Sequence, residues 1–175
     1  MMRGRGTICV CDAPNTYAAF ERIVARGALS VEMERLKTRF PGMRLEIVDL
    51  RREVWILKED VIVDRRRNLP DPRGYVAMSL GKESLFYGHK GEGRYYGADY
   101  DSAAVGKHHH GEVHEYLLAG TAMRCDLFVN VPKLKTHKKT GITCSLKNLV
   151  GINGDKNWLP HYTMGPVNTG GDEFP

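Results

Sequence analysis

The sequence of 175 residues lacks the patterns of several large protein classes. It contains no apolar run approaching the roughly 20 residues that a membrane helix needs, and its first residues, MMRGRG, lack the apolar core of a signal peptide. Its four cysteines form no Cys-x-x-Cys pair, so neither a zinc or iron–sulfur centre nor a thioredoxin-like motif is indicated. We therefore expect a cytoplasmic protein that has no membrane partner.

Signatures of nucleic-acid and nucleotide binding are missing too. The sequence has no zinc-finger spacing, no aromatic RNA-binding signature, no P-loop and no complete G-x-G-x-x-G fingerprint. It is nevertheless mildly basic, with a formal net charge of +5, and its basic residues cluster at 65–67 and at 133–139. Such surfaces attract anions in general. We therefore favour an anionic small molecule over nucleic acid as the partner, and the sequence indicates no particular cofactor.

The alternation and spacing of apolar residues predict an α/β fold. Residues 7–11 (TICVC) and 44–50 (RLEIVDL) have the pattern of strands, and apolar stripes predict helices between them at 16–26 and 29–40. This order is a βαβ unit, whose two strands are parallel. Further strands are predicted at 54–57, 61–63 and 75–80.

The second half of the chain is predicted to complete a parallel sheet. Residues 126–131 (DLFVNV) are almost continuously apolar, which is typical of a strand buried on both faces, and helices are predicted at 112–123 and 142–150. Residues 81–111 are rich in glycine, tyrosine and charge without a clear period, so we predict a long loop there. The sequence thus predicts a single α/β domain over residues 1–175, with a mostly parallel central sheet flanked by helices.

The stretch VNVPKLKTHKKTGITCSLKNLVG, residues 129–151, joins the last predicted strand to the last predicted helix. Pro132 cannot donate to a strand ladder, so it marks the end of that strand. If the chain then stays extended, the alternation of side chains sends Lys133, Lys135 and His137 to one side. Three hydrogen-bond donors would converge there.

The junction of this strand and helix has the features of an anion-binding site. Free amides at a helix N-terminus carry partial positive charge, and open α/β sheets bind ligands at the carboxyl ends of their strands. Lys147 and Asn148 face away from the apolar side of the predicted helix, and a glycine-bearing turn after it could bring Lys156 and His161 back toward Lys147. We expect His137 and Lys147 to be catalytic, and the ligand-binding residues to be Lys133, Lys135, Asn148, Lys156 and His161.

These residues fit two kinds of function. An enzyme would use the lysines to neutralise a phosphate ester or a carboxylate, Asn148 to orient it, and His137 or His161 to transfer protons. A non-catalytic module would use the same pocket to hold an anionic ligand, polymer or partner. The neighbouring Lys138 and Lys139 are expected to lie in a solvated loop.

Two motifs in this stretch resemble the signature of the family called domain of unknown function 362. They are Pro-Lys-x-Lys-Thr-His, here residues 132–137, and Thr-x-x-Leu-Lys-Asn-Leu-x-Gly, here residues 143–151. The resemblance implies no particular reaction, because the family has none assigned. Some relatives carry ferredoxin-like cysteine clusters, which this sequence lacks, so no redox role carries over. Family members are usually longer, which implies that the chain is a fragment.

A histidine-rich segment at residues 107–114 (KHHHGEVH) is the obvious candidate for a metal site. His110 and His114 have the i, i+4 spacing that places two ligands on one helical face, and His108 could add a third. Gly111 lies between them, however, and the H-E-x-x-H order is absent. We therefore predict no metal site.

Overall fold

The structure, a computed structural model, describes residues 5–98 and 101–173. It divides into two compact units, and the boundary in the sequence lies between Asp71 and Pro72. We call residues 5–71 unit 1 and residues 72–173 unit 2, and describe each by itself. The single domain predicted over residues 1–175 stays a prediction. In the described ranges, no helix combines the length and the apolar character that crossing a membrane requires.

Unit 1 is built on two parallel strands joined through two helices. Its elements are β1 (Gly6–Asp12), α1 (Phe20–Arg26), α2 (Leu29–Arg39), β2 (Met43–Asp49), β3 (Glu53–Lys58) and β4 (Val61–Arg67). β1 and β2 pair in register along their whole length, so the predicted βαβ unit is confirmed. β3 and β4 form an antiparallel hairpin, whose strands are joined by Glu59 and Asp60, both at positive φ.

A buried arginine holds the region beyond the carboxyl ends of β1 and β2. Only 2% of Arg51 is exposed, and its Nε and Nη2 atoms donate to the Asp49 carboxylate at 2.6–3.1 Å. Its Nη1 atom donates to the carbonyl oxygens of Asn15, Thr16 and Ala18 at 2.8–3.1 Å. Since these carbonyls belong to the loop between β1 and α1, one side chain fixes that loop against the end of β2.

Antiparallel strand pairs make up the sheets of unit 2. Its strands and helices are β5 (Tyr75–Ser79), β6 (Tyr95–Tyr96), α3 (Ser102–Gly106), β7 (His109–His110), β8 (Val113–Ala119), α4 (Gly120–Met123), β9 (Lys135–His137), β10 (Gly141–Thr143), α5 (Ser145–Asn148) and β11 (Tyr162–Thr163). Turns of 3₁₀ helix lie at Gly81–Glu83, Leu149–Ile152, Lys156–Trp158 and Val167–Thr169. β5, β8 and β7 form a three-stranded sheet in that order, and β9 pairs with β10 and β6 with β11.

Residues 81–111, predicted as a long loop, contain short elements in their described part. These are a 3₁₀ turn, β6, α3 and β7. Arg94 fastens this segment internally and to a later turn of unit 2, because its guanidinium donates to the carbonyl oxygens of Lys90 at 3.1 Å and Met164 at 2.7 Å. The segment is therefore irregular but hydrogen-bonded.

Two histidines form part of the core of unit 2. His109 and His114 are fully buried, His109 Nε2 donates to the Trp158 carbonyl oxygen at 2.9 Å, and the Nδ1 atoms of the two rings lie 3.4 Å apart. When both rings are neutral, Nδ1 of His109 therefore accepts from Nδ1 of His114. Phe86 and Tyr116 pack edge-on against His109, with ring centroids 5.7 and 5.1 Å away. Burial lowers the pKa of His109, so the folded unit favours its neutral ring.

The prediction of a mostly parallel central sheet is wrong. Among the described residues, β1 and β2 are the one parallel pair, and their sheet has two strands. In three hairpins the two strands are joined by only two or three residues, and such short connections allow only antiparallel pairing. The apolar run 126–131 is not a strand, and 79% of Leu127, 68% of Val129 and 78% of Val131 are exposed. Apolar composition alone therefore led to a buried strand that does not form.

The helix predicted over residues 112–123 is also wrong. Most of this segment is β8, which pairs with β5 over five residues, from Tyr75 opposite Ala119 to Ser79 opposite Glu115. β7 pairs with its beginning, so both neighbours satisfy the backbone of the strand. α4 begins at Gly120, where a Cβ atom would overlap the carbonyl oxygen of Arg73. Helical structure is thus confined to the last turn of the predicted helix.

Replacing Arg51 by methionine should destabilise unit 1. The change removes the guanidinium that neutralises Asp49 and donates to three loop carbonyls, and removing one partner of a buried ion pair costs about 3–5 kcal/mol. Urea unfolding followed by circular dichroism and by tryptophan fluorescence would measure the loss. The control is Arg35→Met, because Arg35 is exposed and pairs with Glu32 on the surface of α2, where about 1 kcal/mol or less is expected. Equal effects of the two variants would contradict the role of Arg51.

Acid should destabilise unit 2 through His109. Its pKa lies below its ordinary value of 6.5 in the folded state, so the unfolded chain takes up a proton first as the pH falls. Stability should therefore decline from about pH 6.5 downward, through the lowered pKa, by at most about 1.4 kcal/mol per pH unit for this group. Urea unfolding at about pH 8 and about pH 5 would measure the decline.

Two variants identify the contribution of His109 to this decline. His109→Gln should flatten the pH dependence, because it removes the group that titrates, whereas His110→Gln, at an exposed position, should leave it nearly unchanged. An unaltered pH dependence in His109→Gln would show that His109 does not cause the decline.

Candidate anion-binding site

The basic stretch begins as a hairpin. β9 and β10 pair antiparallel, with His137 opposite Gly141 and Lys135 opposite Thr143. Gly141 has a φ of +73°, which glycine adopts without strain, and it closes the loop formed by residues 138–140. The predicted alternation is confirmed for Lys135 and His137, which share one face of β9. Lys133 lies before the strand.

The helix predicted over residues 142–150 is wrong. β10 is followed by one helical turn, α5, and then by the 3₁₀ turn Leu149–Ile152. Pairing with β9 keeps Ile142 and Thr143 in a strand, so the helix cannot begin there. A helix as short as α5 also has only a small macrodipole. Side chains, and not a helix end, therefore supply the positive charge at this junction.

Two asparagines fasten α5 to the segment that leads into the hairpin. Asn148 Nδ2 donates to Asn130 Oδ1 at 2.7 Å, and Asn130 Nδ2 donates to the Ser145 carbonyl oxygen at 3.0 Å. These bonds fix the single turn that carries Lys147. Asn148, which was predicted to bind ligand, thus has a side-chain partner within unit 2.

Several basic side chains of the site lie near His161 and affect its pKa. Partial loss of hydration lowers the pKa of His161, although the residue is exposed at the surface; the nearby charge of Lys147 lowers it further, and Lys139 and His137 add smaller effects in the same direction. The Asp172 carboxylate opposes them and raises it. Of the predicted site residues, His137, Lys147 and His161 therefore lie close together. We call His137, Lys139, Lys147 and His161 the basic cluster.

Lys139 is anchored by the last described residues of unit 2. Its Nζ donates to the Asp172 carbonyl oxygen at 2.7 Å and lies 4.9 Å from the centroid of the Tyr162 ring. The Tyr162 hydroxyl donates in turn to Glu173 Oε1 at 2.6 Å, which lowers the pKa of that carboxyl. Lys139 lies in an exposed turn, as expected, but its ammonium group has partners within unit 2. Its contact with Asp172 spans 33 residues, so no motif or local spacing in the sequence signals it.

The proton on His137 has a defined position when the ring is neutral. The backbone N–H of Lys139 donates to His137 Nδ1 at 3.3 Å, so Nδ1 is the acceptor and Nε2 carries the hydrogen. His137 therefore presents an N–H donor at its other nitrogen. This is the form that can donate to an anion without changing its own charge.

The remaining predicted lysines fall into two groups. Lys133 and Lys135 are exposed, and within the described residues their ammonium groups make no hydrogen bond or ion pair. Lys156 is buried, and its Nζ donates to the carbonyl oxygens of Val150 at 2.6 Å and Asn153 at 3.1 Å. Its ammonium group thus satisfies the turn after α5, and we leave Lys156 out of the proposed ligand contacts.

The histidine-rich segment does not place its side chains as a helix would. His114 is buried beside His109, whereas His110 is exposed and its Nδ1 donates to the Gly106 carbonyl oxygen at 2.7 Å. His108 stacks on Trp158, with ring centroids 3.5 Å apart. Over residues 5–98 and 101–173, no three histidine, cysteine, aspartate or glutamate side chains are grouped so that they could hold a metal ion.

A family model matches the part of the chain that carries the basic cluster. The family is described as Domain of unknown function (DUF362), and the match covers residues 46–167, which is more than half of the 175 residues. It includes both sequence motifs and all members of the basic cluster. No curated protein and no solved structure matches the chain. The chain therefore belongs to the family Domain of unknown function (DUF362).

Proposed function

We propose that this protein is an enzyme that binds an anionic small molecule, a phosphate ester or a carboxylate, at the basic cluster. The observation that supports the proposal most directly is that the charges of Lys147 and Lys139, and that of His137 when its ring is protonated, all act on His161. Positively charged side chains that lie close together repel each other. A bound anion attracts each of them and so offsets this repulsion. The cluster is therefore more stable with an anion than without one.

Lys147 is the cation best placed to contact the ligand. Its side chain makes no hydrogen bond or ion pair within the described part of the chain, whereas Lys139 is engaged by Asp172 and the Tyr162 ring. Lys147 thus keeps three N–H donors for an anion, and Lys139 contributes mainly its charge. Asn148 serves indirectly, because it holds the turn that carries Lys147.

His161 is suited to accept a proton from the bound molecule. A histidine with a lowered pKa is neutral near neutral pH, which is the form that acts as a base. His137 can donate from Nε2 to the same molecule. A non-catalytic binding module would need the cations but no neutral histidine among them, so the lowered pKa of His161 favours an enzyme over the binding module.

Replacing Lys147 by methionine should weaken the binding of inorganic phosphate. A hydrogen bond to a charged group contributes about 1.5–3 kcal/mol, so we expect the dissociation constant to rise about tenfold or more. Isothermal titration calorimetry would measure it, with circular dichroism to confirm the fold. Lys107→Met makes the same change of charge at an exposed lysine outside the basic cluster and should have little effect. If Lys147→Met binds phosphate as tightly as the unaltered protein, the ligand does not sit at the cluster.

Sulfate should bind more tightly as the pH falls, because its own charge is constant near neutrality while that of His161 is not. A bound anion offsets the charge of Lys147 and raises the pKa of His161 from its lowered value, so binding takes up a fraction of a proton. Affinity should therefore rise as the pH falls toward and below about 6.5. Isothermal titration calorimetry in buffers of different ionisation enthalpy would measure the number of protons taken up when sulfate binds.

Variants of the two histidines locate the group that takes up the proton. His161→Gln should keep most of the sulfate binding and lose most of the proton uptake, whereas His137→Gln should retain the uptake. Sulfate binding that is independent of pH in the unaltered protein would show that the anion does not lie beside His161.

A further inference from the structure

Unit 1 contains a cavity that the proposed function does not use. Its volume is about 460 Å³, within the range of roughly 300–1,000 Å³ that small-molecule sites occupy. Asp49, the last residue of β2, lines it together with residues 17–21, which follow β1. The cavity thus lies at the carboxyl ends of two parallel strands, where α/β folds commonly bind ligands.

Arg51 brings an unused donor to this cavity. Its Nε–H and one Nη2–H are bonded to Asp49, and both hydrogens of Nη1 point to carbonyl oxygens of the loop after β1. Within the described residues, the second hydrogen of Nη2 has no acceptor. Arg51 lines the cavity with only 3% of its side chain exposed, and a buried donor without a partner is costly.

Asn68 brings an acceptor to the lining of the same cavity. Its Nδ2 donates to the backbone carbonyl oxygen of Arg51 at 3.2 Å, and both residues line the cavity. The Oδ1 atom of Asn68 accepts no hydrogen bond from the described part of the chain. The lining therefore offers a ligand one donor and one acceptor.

The rest of the lining is aromatic, apolar or acidic. Tyr17, Phe20 and Trp55 supply aromatic surface, and β3 adds aliphatic side chains. Asp49 is neutralised by Arg51, but Glu21 makes no ion pair within the described residues. The cavity thus carries a net negative charge, which disfavours anionic ligands.

We propose that this cavity binds a planar, uncharged heterocycle that accepts a hydrogen bond from Arg51 Nη2 and donates one to Asn68 Oδ1. A nucleobase fits this description, because it is planar and carries both hydrogen-bond acceptors and donors on its edges. The aromatic side chains cover the faces of the ring. Glu21 selects an uncharged nucleoside over its phosphorylated form. This inference is independent of the function proposed for the basic cluster.

Calorimetry with adenosine and with adenosine 5′-monophosphate tests this proposal on the full chain. We expect saturable binding of adenosine, and binding of the monophosphate that is about tenfold weaker or more. Ala19→Leu, which adds bulk to the lining, should weaken adenosine binding by a similar factor, whereas Ala25→Leu, on α1 but outside the lining, should not. Circular dichroism confirms that both variants fold.

The charge of Glu21 has its own test. Glu21→Gln should reduce the difference between nucleoside and monophosphate, because it removes the carboxylate that repels the phosphate. The proposal is overturned if adenosine shows no saturable binding, if the monophosphate binds equally well to the unaltered protein, or if Ala19→Leu and Ala25→Leu bind adenosine alike.

Discussion

Hydrogen bonds from buried cations to backbone carbonyls hold the irregular parts of this chain in place. Helices and strands are short, so many carbonyl oxygens have no partner in a ladder or helix and need another donor. Arg51 donates to three loop carbonyls in unit 1, two of which also accept a backbone N–H, and Lys156 donates to two carbonyls in unit 2, one of which also does. Both candidate sites depend on these bonds. The loop that Arg51 holds lines the cavity, and the turn that Lys156 holds follows the one that carries Lys147.

The same accounting of donors separates the lysine that the fold uses from the one that we propose contacts a ligand. Lys156 directs its ammonium group to backbone carbonyls and is buried. Lys139 is held by a carbonyl oxygen and an aromatic ring, yet its charge still acts on His161. Lys147 keeps its hydrogen-bonding capacity for a ligand. In the proposed function, binding energy should therefore come chiefly from Lys147, while Lys139 contributes a smaller charge effect on the pKa of His161.

Local patterns in the sequence correctly predicted those elements whose formation depends on short-range interactions. The stripe through Met33 became α2, the βαβ unit formed as expected, and the alternation of Lys135 and His137 survived in β9. Patterns failed where distant partners decide. Tyr116 and Leu117 fit a helical stripe equally well, but pairing with β5 made them part of a strand. No spacing of residues in the sequence predicts the hydrogen bond from Lys139 to Asp172, because only the path of the intervening chain brings the two residues together.

The two proposed sites carry net charges of opposite sign. In the basic cluster, cations outnumber the single carboxylate that acts on His161, so an anion relieves repulsion and draws a proton onto the histidine. In the cavity of unit 1, the guanidinium of Arg51 is already neutralised by Asp49 and an acidic side chain remains. An arginine in a cavity is therefore not by itself a sign of anion binding, because its partners decide whether any positive charge is left for a ligand.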